Sequence, residues 1–88
     1  MNDRTQGRVM VEFTVEPFTP ADPGPHVTAS IEAARRLAGP TVEVGPFGTA
    51  ATVPSSEAPA LTSAVVDAAL ANGATRVSLQ LSTLPDPA

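Results

Sequence analysis

Four short runs of alternating apolar and polar residues surround two stretches of helical spacing, and this order restricts the chain more than any other feature. Val9, Val11, Phe13 and Val15 alternate with Met10, Glu12, Thr14 and Glu16 until Pro17 ends the run. A period of two over this length describes a strand with one buried face. Residues 18–25 carry three prolines and a glycine, so they read as an extended loop. A helix is predicted over residues 25–38, with Val27, Ile31, Ala34, Leu37 and Ala38 on one face and Thr28, Glu32, Arg35 and Arg36 toward solvent. Pro25 suits its first turn, and Gly39-Pro40 stops it. Glu32 and Arg36 stand four apart, the spacing of a surface pair.

Alternation returns over residues 41–44, and a strand-like run follows over 49–53, around the turn Gly45-Pro46-Phe47-Gly48. Periodicity leaves the orientation of the third strand open, because neither Thr49-Ala51-Val53 nor Gly48-Ala50-Thr52 is the clearer core set. Ser55 and Ser56 offer hydroxyl caps for a second helix, with Glu57 and Pro59 early in it. Its apolar face holds Leu61, Val65, Ala68 and Ala69, widened by Val66 and Leu70, and Asn72-Gly73 closes it. A last strand over residues 75–83 turns Val77, Leu79 and Leu81 inward. The order βαββαβ predicts an α+β ferredoxin-like sandwich: a four-stranded antiparallel sheet, order 4-1-3-2, with both helices on one face. Residues 8–84 are expected to form this single domain, with flexible termini at 1–7 and 85–88.

A chain of 88 residues leaves room for one core, and so small a core gains from self-association. Net charge −4, from five arginines, no lysine and nine carboxylates, disfavours nucleic acid and anionic membranes, which recruit cations. The absence of cysteine removes disulfides, thiolate nucleophiles and sulfur-ligated zinc. The first eight residues are polar, without an apolar signal core, so a cytoplasmic location is expected.

Function has to be sought on the sheet face that the helices leave open. The first strand sends Met10, Glu12, Thr14 and Glu16 there, and the last adds Arg76, Ser78, Gln80 and Ser82. Such a face serves either as a polar pocket floor or as a wetted surface. Catalytic constellations are weak. The lone His26 sits beside prolines and reads as a surface or edge histidine, and no triad or His-led metal cluster is available. Gly45-Pro46-Phe47-Gly48 lacks the spacing and lysine of a phosphate loop. Three Phe without Tyr or Trp are too few for a base-stacking RNA sheet. No enzyme activity, cofactor or metal is expected.

Val11-Glu12-Phe13-Thr14-Val15-Glu16-Pro17, Pro25-His26-Val27, Val42-Glu43-Val44-Gly45-Pro46-Phe47-Gly48-Thr49 and Gly73-Ala74-Thr75-Arg76-Val77 together resemble the small thiamine-binding (YkoF-like) proteins. The resemblance runs from Val9 to Ser82, and Gly-Pro-Phe-Gly-Thr is its most specific part. It implies a ferredoxin-like fold, sheet-mediated homodimers or homotetramers, and binding of thiamine or its hydroxymethylpyrimidine moiety without turnover. The chain departs from the pattern at Ala50-Ala51-Thr52-Val53-Pro54, where relatives carry an acidic residue and a glycine. The expected ligand residues are Glu12, Thr14, Glu16, Gly48, Thr49, Ser78 and Gln80, on or beside the open face. Carboxylates suit a thiazolium cation, and Gln80 offers a pyrimidine a donor and an acceptor. The competing reading is an oligomerising structural module with no ligand of its own.

Overall fold

The computed structural model describes residues 7–19 and 21–85. Strand β1 (Arg8–Glu16), helix α1 (Pro25–Ala38), strands β2 (Glu43–Val44) and β3 (Thr49–Pro54), helix α2 (Ala58–Ala71) and strand β4 (Arg76–Thr83) follow in chain order. The strands form one sheet, β2-β3-β1-β4, antiparallel throughout. This is the expected ferredoxin-like arrangement, with β1 and β3 central. The expectation of flexible ends falls mostly on residues 1–6 and 86–88, outside the described residues. Among the described residues, no helix is long and apolar enough to cross a membrane.

The alternation in β1 orients the sheet. Val9, Val11 and Phe13 are buried against the helices together with Val53, Leu61 and Val65. Each such side chain contributes roughly 1.5–3 kcal/mol by leaving water. The same alternation settles the third strand, since Thr49, Ala51 and Val53 are buried and Ala50 and Thr52 are half-buried. Thr49 therefore faces the helices, not the open face.

Helix α1 starts with Pro25 in its first turn and ends where Gly39 adopts φ +58° and its N–H donates to the Arg35 carbonyl. Of its predicted face only Ala34 is fully buried. His26, Ser30, Ala33 and Ala34 are buried, Val27 and Ile31 are only half-buried, and Leu37 is exposed. Small side chains let α1 lie close against α2, which itself buries Ala58 and Ala69. The larger apolar residues are thereby rotated to the rim. Ser30 is tolerated inside because its hydroxyl donates to the Val27 carbonyl at 2.8 Å.

Three further expectations are corrected. His26 is buried, not superficial: its Nε2 lies 2.7 Å from the Pro17 carbonyl oxygen. A carbonyl can only accept, so Nε2 carries the proton and the ring pins the end of β1 to the start of α1. Ser55 and Ser56 do not cap α2; with Glu57 they form a 3-10 turn, and no side chain caps the helix. The second strand is two residues long, because Thr41 belongs to a 3-10 turn, Gly39–Thr41. The Thr41 hydroxyl takes over from the missing ladder, lying 2.9 Å from the Thr52 carbonyl oxygen and accepting the Thr52 N–H at 3.2 Å.

Candidate functional site

The pairing of β1 with β4 assembles the open face. Opposite each other stand Glu12 and Gln80, Thr14 and Ser78, and Glu16 and Arg76. Side chains directly opposite on one sheet face are close enough to act on one ligand. Glu12, Thr14, Gly48, Thr49, Ser78 and Gln80 all border a hollow of ≈ 430 Å³, which Phe47 and Ala50 help to wall. Glu16 does not border it and stands two rungs away across from Arg76. Thr49 contributes from the edge, since its side chain belongs to the buried set. The expected residues thus converge except for Glu16, and they offer one carboxylate, an amide and three hydroxyls, of which the Thr49 hydroxyl belongs to a buried residue.

The tip of the β2–β3 hairpin closes one end. Gly45 N–H donates to the Gly48 carbonyl at 2.8 Å and folds the tip tightly. At Gly48 a Cβ would lie 3.1 Å from Thr14 Cγ2 and 3.2 Å from the Phe13 carbonyl oxygen. Only glycine lets the tip rest this near β1 without displacing it.

A second, larger hollow of ≈ 630 Å³ opens on the helix side of the same tip, between the hairpin, α1 and the loop after β1. Its volume lies within the ordinary range of small-molecule sites. All three phenylalanines of the chain line it: Phe13 from the core, Phe18 from the loop and Phe47 from the tip. Phe18 and Phe47 are 65% and 82% exposed, a large apolar area for water to cover. The half-buried Val27 and Ile31 form its floor on α1, and Glu32 and Arg35 stand at its border. Glu32 and Arg35, three residues apart on α1, thus share one edge of the groove.

This groove is hard to read from the sequence because Phe18 and Phe47 sit among prolines and glycines, where a turn explains the pattern without it. The available signal was that two of only three aromatic residues fall in loops, where no periodic face buries them. Among the described residues, no group of three His, Cys, Asp or Glu side chains could hold a metal ion.

Fold and hollows together define a ferredoxin-like domain with an uncovered sheet face and a hairpin tip between two recesses. Among solved structures it is similar to a domain of unknown function, DUF77, from Bacillus cereus. The two share 18% sequence identity over 94% of this chain and 81% of that one, with a TM-score of 0.55, a likeness that shows the fold. No family profile matches the sequence, and a search of curated proteins finds no match.

Proposed function

We propose that this chain is a non-catalytic binding domain for thiamine or a hydroxymethylpyrimidine-type ligand, held in the open-face hollow. The observation that carries the reading is the convergence of Glu12, Thr14, Ser78 and Gln80 around one recess beneath the hairpin tip. In this reading the Glu12 carboxylate attracts the thiazolium cation, and Gln80 donates to and accepts from the pyrimidine edge. The ligand itself comes from the sequence resemblance to thiamine-binding proteins. The non-catalytic part is supported by His26: the chain's one imidazole is 5% exposed, is engaged with the Pro17 carbonyl and lines neither hollow.

Calorimetric titration with thiamine tests the proposal. Saturable heat is expected, and Glu12→Gln should weaken binding by more than about tenfold, since losing a charged hydrogen-bond partner costs roughly 1.5–3 kcal/mol. No heat at millimolar thiamine would sink the ligand assignment. Equal affinity in the variant would move the site off β1.

Association into a homodimer or homotetramer through the sheet belongs to the same proposal. Its support is the eight-residue edge strand β4, which carries Leu81 at 50% exposure. Sedimentation at micromolar concentration should give a mass above that of one chain. A purely monomeric mass rejects it, and assembly without thiamine binding would favour the structural module instead.

A further inference from the structure

We propose that the helix-side groove is a second binding site, taking a neutral, planar heteroaromatic ring of nucleobase type, and that the main chain of Val15 reads its edge. The proposal goes beyond the sheet-face reading and does not depend on it.

The main-chain groups of β1 point to alternate sides of the strand. The Arg8 carbonyl accepts from Leu84 N–H at 3.0 Å, and the Glu16 carbonyl accepts from Thr75 N–H at 2.7 Å. Even-numbered residues of β1 therefore turn their N–H and C=O toward β4. Alternation along a strand turns those of Val9, Val11, Phe13 and Val15 the other way, toward β3. Pairing with β3 ends at Phe13 opposite Thr49, so Val15 has no residue across from it. Continuing the register would set Phe47 of the hairpin tip opposite Val15, but the pairing stops short of it. Among the described residues, no turn, loop or cap hydrogen bond engages Val15.

Val15 borders the groove, and strand alternation sets its N–H and C=O side by side in the plane of the sheet, on the side of the hairpin tip. In an antiparallel ladder such a pair exchanges two hydrogen bonds with a single partner residue. A ring carrying an amino donor beside a ring-nitrogen acceptor offers the same complement. An added peptide strand would need several free rungs, and only one is open here. The exposed Phe18 and Phe47 supply stacking surfaces for a flat ring, with Phe13 behind them. Glu32 and Arg35 at the border bring one charge of each sign, which selects no net charge on the ligand.

The test titrates adenine and purine, which lacks the amino group, into 15N-labelled protein. Adenine is expected to shift the Val15 amide and slow its hydrogen exchange, with purine binding about two- to tenfold more weakly for the lost hydrogen bond. Phe47→Ala, at a position 82% exposed and so sparing the core, should weaken adenine by about fivefold or more. Glu12→Gln should leave adenine binding unchanged, which separates this site from the sheet-face hollow. The proposal is overturned by equal affinity for the two probes or by no binding of adenine up to its solubility limit of several millimolar. Slow exchange of the Val15 amide in the free protein, or loss of adenine binding in Glu12→Gln, would overturn it equally.

Discussion

A methyl group added at Gly24 tests how the loop after β1 is held. The residue has φ −72° and ψ 171°, a conformation open to alanine, so any cost must come from space. A Cβ there would lie 2.5 Å from His26 Cε1 and 2.8 Å from Nδ1, inside contact distance. The ring cannot retreat freely, because it is buried and its Nε2 is committed to the Pro17 carbonyl. Overpacking of this kind costs about 1–3 kcal/mol. His26→Ala separately loses a hydrogen bond of about 0.5–1.5 kcal/mol and leaves a small void. In the His26→Ala background, however, the obstacle is gone. Gly24→Ala should then be neutral or stabilising by about 0.4–1 kcal/mol, through reduced freedom of the unfolded chain. The two substitutions are therefore expected to couple by about 1–3 kcal/mol, the range found for residues in contact. Urea unfolding followed by far-ultraviolet circular dichroism measures this in a chain without Trp or Tyr. With a slope near 1 kcal/mol per molar urea for a small domain, Gly24→Ala alone lowers the midpoint by about 1–3 M. Additive effects in the double variant would refute the account of how Gly24 and His26 fit together.

Other expectations concern the core, the short second strand and the hairpin tip. Leu61→Ala, at a fully buried position, should destabilise the fold by about 2–5 kcal/mol in the same assay. Thr41→Val removes the hydroxyl that bridges to Thr52; a loss of about 1–2 kcal/mol is expected, with faster amide exchange at Thr52. Gly48→Ala should cost about 1–3 kcal/mol, because the Phe13 carbonyl it meets is main chain and cannot swing away. If Gly48→Ala is as stable as the parent, the tip does not rest on β1.

Period-two alternation read β1 well because burial on one face acts on every second residue there. In the edge strand β4, Val77 and Leu79 are only half-buried, and Leu81, expected to turn inward, is exposed because the helices do not cover that end of the edge. The third strand resisted that reading, since Thr49, Ala50, Ala51 and Thr52 differ too little in apolarity to declare a face. Helix α1 was misjudged for the opposite reason. Val27 and Ile31 are its most apolar early residues, yet close packing of two helices selects Ser30, Ala33 and Ala34 for the inside. The open-face residues could be read because strand register follows from alternation and order. The groove could not, because it depends on where two loops carry Phe18 and Phe47, and no periodicity governs a loop. The burial of His26 likewise depends on a carbonyl nine residues away.

The two borders of the sheet are unequal, and this limits how the sheet can grow. On one side β2 has two residues, and just beyond it the Thr41 hydroxyl already occupies the Thr52 main chain. On the other, β4 runs for eight residues with its outer N–H and C=O groups uncovered by any strand of the sheet. A border that long is a template for another chain, whereas the short one gives an incoming strand almost nothing to hold. Two copies meeting border to border would use the same strand twice and leave only blunt ends facing outward. Polymerisation requires two adhesive borders per subunit, and this fold has one.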